Sequence, residues 1–196
     1  MSDARAANAP DIQAIARSLA KAFHDDPVML HMLRTPSRRE RQMVTFFSTE
    51  MKQALNKGAV FTTDEHAGGA IWMEPGKWRM GNLQLLSFLP VLFSWRSAIG
   101  RSLGVLNRME KIHPTEPHWY LAVLGTAPEH QGKGTGSALM APILQRCDEA
   151  GVPAYLESSK EANIPFYSRH GFAVTGRVDV PDGPTLWPMW REPQHP

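Results

Sequence analysis

The second half of the chain predicts an α/β (α+β) fold built on a mixed sheet, and three observations carry that prediction. "HWYLAVLGTA" (118–127) is a long apolar strand, and a glycine-rich run follows it directly. The next segment, "SALMAPILQRCDEAG", places Leu139, Met140, Ile143, Leu144 and Cys147 on one side of a helix and ends at Gly151. "VPAYLESS", "ANIPFYSRH" and "GFAVTGRVDV" then read as strand, short helix and strand, and "PDGP" turns the chain back into "TLWPMW". That order gives a sheet with a βαβ unit at its centre. Pro142 inside the helix predicts a kink, since proline costs about 3 kcal/mol in a helix interior.

The first half reads as helices followed by a hairpin. Asp11 is placed to cap a helix whose apolar stripe is Ile12, Ile15, Leu19, Ala22 and Phe23. Pro27 either ends it or opens a new turn capped by Asp26. A second helix is predicted from Ser37 to about Lys57, burying Met43, Phe46, Phe47, Met51 and Leu55 and stopping at Gly58. "AVFTT" and "GAIWME" flank the turn "DEHAG", a hairpin signal. Residues 77–112 read as mostly helical and apolar, with glycines at 81, 100 and 104.

Composition narrows the class. The chain has 196 residues, 42% hydrophobic and 20% charged, which is ordinary globular usage and is long enough to bury a core without staples. One domain spanning 1–196 is expected, with 77–117 as an elaborated helical segment. Cys147 is the one cysteine, so no intrachain disulfide is possible; among Ile143, Leu144 and Ala150 it reads as a buried, inert thiol. The eight histidines include no Hx3H pair, and no metal is expected. "MSDARAANAPD" lacks the apolar core of a secretory signal, and "LQLLSFLPVLFSW" (83–95) is too short to span a bilayer and is broken by Pro90. A cytoplasmic protein without a membrane partner is therefore expected, that stretch being a buried or interfacial helix. A net charge of +2 does not point to nucleic acid, and the cluster Arg34, Arg38, Arg39, Arg41 carries no interleaved aromatics. Ser37 and Glu40 there have capping-box spacing, so the arginines read as a solvated helix face.

The glycine run, "EHQGKGTGSALM" (129–140), is where function enters. A strand leading through glycines into a helix makes an anion site, because the first helical N–H groups lack internal partners and the helix dipole favours negative charge there. A tight turn with nothing bound is the bland alternative. Spacing excludes a P-loop: Gly134 follows Lys133 where Ser or Thr is required, and Ala127 stands where the first glycine should. A dinucleotide fingerprint fails from Gly132, whose sixth position is Ser137, and from Gly134, whose sixth is Leu139. Glu157 does lie near the distance at which that motif places its acid, yet too little chain follows Gly136 for a doubly wound domain.

The pattern that fits is Gln/Arg-x-x-Gly-x-Gly/Ala, met by Gln131, Gly132, Lys133, Gly134, Thr135 and Gly136. On it, and on "LGTAPEHQGKGTGSALM" followed by "YLESSKEANIPFYSRHGF", the chain resembles the GCN5-related N-acetyltransferase (GNAT) family. "AFHDDP", "WMEPG" and "PDGPTLWPM" extend the likeness toward puromycin N-acetyltransferase-like members, most weakly across 77–117. The resemblance implies a mainly antiparallel central sheet with a splayed pair of parallel strands, flanked by helices. It further implies an acetyl-CoA-dependent N-acetyltransferase that moves the acetyl group directly to a primary amine of a small molecule. Protein or peptide amines are the alternative acceptors, and a non-catalytic coenzyme A-binding module the alternative class. A monomer or homodimer suits either.

The resemblance also implies roles. The loop amides of Gln131 to Gly136 take the cofactor's pyrophosphate, with Lys133 adding charge or simply lying in solvent. Leu124 and Thr126 bond the pantetheine arm along a bulged strand, with Gly125 at the bulge. Asn163 bonds the same arm. Tyr167, four residues on and sharing a helix face with Asn163, protonates the leaving thiolate. Thiol and phenol lie close enough, near about 8.5 and 10, for that proton transfer to depend mainly on geometry. Glu157 is the first candidate base and His118 the second. Asp25, Asp26 and Glu74 sit in segments that flank the acceptor in relatives, and Trp72, Met73 and the segment 80–113 are expected to line an apolar acceptor pocket.

Overall fold

The computed structural model describes residues 3–55, 59–79 and 86–194. Eight strands form one sheet, in chain order β1 (Ala4–Ala6), β2 (Val60–Thr63), β3 (Gly68–Met73), β4 (Trp119–Thr126), β5 (Ala154–Ser158), β6 (Ala173–Val174), β7 (Val178–Asp179) and β8 (Thr185–Arg191). They lie side by side as β1-β2-β3-β4-β5-β8-β6, with β7 also on β8. Each pairing is antiparallel except β4 with β5. The expected mixed sheet with its parallel pair at the centre is therefore what the chain forms. "GFAVTGRVDV" is not the single strand expected but the two short strands β6 and β7, and Ala4–Ala6 adds an edge strand that sequence pattern had not marked.

Helices cover both faces. On one side lie α1 (Ile12–Ala22), α2 (Pro27–Met32), α3 (Pro36–Leu55), α4 (Leu89–Ser94) and α5 (Ile99–Ile112). Ile15, Leu19, Phe47 and Met51 from this layer meet Ile71 and Val123 of the sheet. On the other side α6 (Thr135–Ala150) lays Leu139, Met140, Ile143 and Cys147 onto Phe61, Ala70, Trp72 and Leu121. The short α7 (Ile164–Ser168) closes that layer. Burial pushes the Cys147 thiol up to about 12, which agrees with an inert core thiol. The helix α6 runs through Pro142 as one element.

Local signals held in part. Asp26 caps α2, its Oδ1 accepting from the amides of Val28 and Met29, both at 3.0 Å. Asp11 makes no side-chain cap to α1; its carboxylate instead accepts from Arg5 at 2.7 and 3.0 Å and approaches His66 Nε2 at 2.7 Å. The carboxylate joins β1 and the β2–β3 turn and also accepts from the Asn8 amide at 2.8 Å, capping the turn before α1 and not α1 itself. The helix α3 begins at Pro36, one residue before Ser37, so the capping box inferred at Ser37 and Glu40 is not used. Gly58 and residues 80–85, including Gly81, lie outside the described residues.

The stretch around Pro90 is half an interfacial helix. Phe88, Val91 and Trp95 are buried against α3, whereas Leu89, Leu92 and Phe93 are exposed, Phe93 by 76%. No helix among the described residues is long and apolar enough to cross a membrane.

Candidate active site

The parallel pair at the centre is the origin of the site. The strands β4 and β5 pair only at Trp119 with Ala154 and Tyr120 with Tyr155; beyond these positions they part. From residue 122 to 126 the edge of β4 facing β5 therefore has no strand partner, and a cavity of about 560 Å³ opens between them. Its walls are β4 from Leu121 to Thr126, the glycine turn, β5 from Leu156 onward, and α7 with Asn163 before it. A register shift between Ile71 and Trp72 sets the divergence in motion: Ile71 faces Val123 but Trp72 faces Leu121, leaving Ala122 as the extra residue. The bulge thus lies upstream of Gly125, not at it. Gly125 has another reason to lack a side chain, since a Cβ there would sit 2.8 Å from Phe23 and 2.9 Å from Leu19.

The glycine turn is built by backbone conformation. Gly132 and Gly134 have φ of 73° and 83°, a region that costs other residues about 1–2 kcal/mol. Gly136 is small for a different reason, because its Cβ would lie 3.1 Å from the Phe166 ring. The first intrahelical bond of α6 runs from the Ala138 amide to the Gly134 carbonyl at 3.0 Å, so the amides of Thr135, Gly136 and Ser137 precede the helical ladder beside the cavity. Gln131 steadies the turn through Nε2 donating to the Thr126 carbonyl at 3.0 Å. Lys133 points elsewhere: its ammonium donates to the Glu129 carbonyl at 2.9 Å, and its side chain is not part of the cavity wall.

At the far end, Tyr167 is nearly enclosed, with Phe172 and Phe166 against its ring. Burial pushes its phenol up, and the neighbouring Asp26 charge adds to this, so Tyr167 is a protonated donor at neutral pH. Asp26 is buried at the cavity wall, where burial raises its carboxyl; Ser159 donates to its Oδ2. With Lys160 paired to Asp25 at 2.6 Å, these contacts bind the α1–α2 corner to the loop after β5.

Glu157 lies on the opposite face of β5 from Leu156 and also lines the cavity. Its side chain is 1% exposed, and Oε1 has no hydrogen-bond partner. Four other side chains gather there: His113 with Nδ1 at 3.7 Å, His118, Tyr120 and Tyr155. Burial and the Glu157 charge both push the two phenols up, and burial lowers His118. Glu50 on α3 acts on Tyr120 from a third element, and burial raises its own carboxyl to about 7.

The structure thus brings Leu124, Thr126, Gln131, Gly132, Gly134, Thr135, Gly136, Glu157, Asn163, Tyr167 and Asp26 to one cavity. Besides Lys133, the expected residues Trp72, Glu74 and His118 stand apart. Trp72 is wholly buried under α6 among Ala70, Leu121 and Leu139, so it cannot meet an acceptor; the bulge beside it set its face. Glu74 is turned to Lys77 at 2.5 Å and does not line the cavity. His118 is 3% exposed with both ring nitrogens engaged, Nδ1 on the Glu116 carbonyl at 2.6 Å and Nε2 on His113 Nε2 at 3.0 Å. It therefore cannot take a proton from a substrate directly. His113, Tyr120, Tyr155 and Glu50 were not anticipated, and no local motif marks them. Among the described residues, no group of His, Cys, Asp or Glu side chains is arranged to hold a metal.

A strand that bulges and leaves its parallel neighbour, with a helix amide turn at one end, is the arrangement that the resemblance to acetyltransferases implies. Comparison with known proteins agrees. The family model for the acetyltransferase (GNAT) family matches residues 91–172. An uncharacterized N-acetyltransferase of Schizosaccharomyces pombe is 30% identical over 187 residues, covering 86% of this chain and 73% of that protein. Among solved structures, one described as histone acetyltransferase HPA2 and related acetyltransferase, from Corynebacterium glutamicum, superposes with a TM-score of 0.73 at 24% identity over 100% of this chain and 99% of that one. The PaiA N-acetyltransferase of Thermoplasma acidophilum in complex with coenzyme A gives 0.59 at 11% identity, covering 98% and 99%. At those identities the structural likeness is one of fold. The chain belongs to the GNAT family of acetyltransferases.

Proposed function

We propose that the chain, acting as a single domain, transfers an acetyl group from acetyl-CoA directly to a primary amine of a small molecule, both bound at once. The observation that carries this reading is that the glycine-turn amides, Tyr167 and Glu157 all border one cavity between the splayed strands. Acetyl-CoA, when bound, supplies an activated thioester. In this reading the amides from Gln131 to Gly136 hold its pyrophosphate at the start of α6. The unpaired edge of β4 around Leu124 and Thr126, together with Asn163, takes the amide-rich arm as a further strand would be taken. Lys133 contributes at most general positive charge, since it turns to Glu129.

Tyr167 stands as the proton donor to the departing sulfur; its raised phenol keeps that proton until a thiolate needs it. Glu157 stands as the proton acceptor for the amine, directly or through a water, since the residue lines the cavity and its side chain is buried beside it. Asp26 is assigned to positioning, through its cap of α2 and its bond from Ser159. We read the acceptor as an amino-nucleoside or similar antibiotic-like amine, on "AFHDDP", "WMEPG" and "PDGPTLWPM", which resemble puromycin N-acetyltransferase-like members. A cytoplasmic setting, where acetyl-CoA is plentiful, fits this activity.

A thiol-release assay with acetyl-CoA and a broad amine panel tests the reading. Small amines should release thiol, and Tyr167→Phe should abolish most of it. Release only with peptide amines would move the acceptor class. Thermal stabilisation by acetyl-CoA with no release from any amine would leave a cofactor-binding module.

A further inference from the structure

The helical segment between β3 and β4 closes on itself at its neck. Trp78, near its start, stacks on His113, near its end, with ring centroids 3.8 Å apart and planes 29° from parallel. His113 caps the C-terminus of α5, and the stack presents its ring to Glu157; both side chains are buried, 2% and 1% exposed.

Hydrogen accounting then fixes the state of each ring. His118 Nδ1 lies 2.6 Å from the Glu116 carbonyl, which only accepts, so that nitrogen carries a hydrogen. His118 is buried, which favours its neutral form, and its Nε2 is then bare. His113 Nε2, 3.0 Å away, must donate to it. The remaining nitrogen, His113 Nδ1, therefore faces Glu157 Oε1 at 3.7 Å with no hydrogen while His113 is neutral. A lone pair confronts an oxygen of a carboxylate to which the Tyr120 and Tyr155 phenols also turn. One proton placed between them satisfies both.

We propose that Glu157 and His113 form a single proton-accepting pair on the acceptor side of the cavity, with His118 setting the tautomer of His113 and Trp78 its ring plane. This rests on the acetyl-transfer reading above. The Glu157 side chain is buried behind the cavity wall and takes the substrate's proton through a bridging water, and His113 is a positioning residue that acts through it. One N–H bond of the substrate ammonium breaks, its electron pair stays on nitrogen as the nucleophile, and the proton lodges between Nδ1 and Oε1. The groups facing the pair are His118 just before β4, Tyr120 from β4, Tyr155 from β5 and Glu50 from α3; burial and the Glu157 charge keep both phenols neutral. The segment is thereby given a chemical task, since it carries both Trp78 and His113 to the site.

The test needs no acceptor. Long-range proton–nitrogen spectra of the full chain labelled at histidine should show His118 protonated at Nδ1 and bare at Nε2, and His113 the reverse at high pH. In Glu157→Gln, whose carboxamide can donate to the bare nitrogen, the His113 Nδ1 signal should shift while the His118 pattern is unchanged. Opposite tautomers, or a His113 Nδ1 signal indifferent to Glu157→Gln, would overturn the pair. If Glu157→Gln does not fold, His113→Asn serves: with any panel amine that releases thiol, kcat/KM should fall by roughly 10-fold or more and the acidic limb of its pH profile should move, with the KM for acetyl-CoA held. An unmoved profile overturns the proposal. Failure of every amine would count against the acetyl-transfer reading alone, because the spectra judge the pair independently.

Discussion

On one side of the cavity Gly132, Gly134 and Gly136 stand within five residues of chain; on the other, Trp78, His113, His118 and Glu157 are drawn from three separate stretches. The side proposed for the cofactor is made of backbone. Its requirements are a left-handed turn, bare amides and the closeness of Phe166 to Gly136, and each leaves a glycine in the sequence. The side proposed for the acceptor is made of side chains that meet only after the sheet and the neck of the helical segment have closed. Chemistry built from consecutive backbone groups is written locally, whereas chemistry built from distant side chains is not.

Substitutions can break or sharpen that contrast. The largest expected effect belongs to Tyr167→Phe, which removes one oxygen from a packed ring. Thiol release should fall by roughly 100-fold or more in kcat, with the KM for acetyl-CoA within about threefold, as steady-state kinetics would show. A comparable loss of cofactor affinity would instead make Tyr167 a binding residue.

Next is Glu50→Gln. The folded carboxyl lies near 7, above its ordinary 4.5, so the native state binds a proton that the unfolded chain releases first. Stability is then undiminished below about 4.5 and declines as pH rises through about 7. Denaturant melts at pH 8 should show the Gln variant more stable by roughly 2–3 kcal/mol, with the difference gone near pH 4. Equal gain at both pH values would assign the effect to packing instead.

Gly125→Ala probes the seam between the two sides, where α1 rests on β4. The added methyl would stand 2.8 Å from Phe23 and 2.9 Å from Leu19. Overpacking there should cost about 1–3 kcal/mol in chemical denaturation. The smallest effect is expected from Lys133→Ala. Its ammonium is bonded to Glu129, so the KM for acetyl-CoA should rise by less than about threefold. A tenfold rise would show that the side chain swings to the phosphates when they are present.

The fold was legible where pattern and structure share a length scale. The βαβ unit followed from the strand of 118–127, the apolar face of 137–150 and Gly151, which takes the left-handed cap with φ of 65°. The Asp26 cap followed from Asp-Pro spacing. Misreadings had a common cause. Asp11 has the residue type of a cap, but Arg5 and His66 reach it from elsewhere in the chain. Trp72 lay in a strand read correctly, yet the bulge at Ala122 decided which face its ring took. His118 suited a base by residue type, and its two hydrogen bonds remove it from that part.

By itself the sequence determined the central βαβ, the glycine turn at its helix and the membership those motifs imply, because each depends on neighbours in the chain. Only the tertiary structure decided how far β4 and β5 part, which face Trp72 takes, and that His113 meets Glu157. Those outcomes depend on register and on closing a long loop, and neither is recorded in any one stretch of residues.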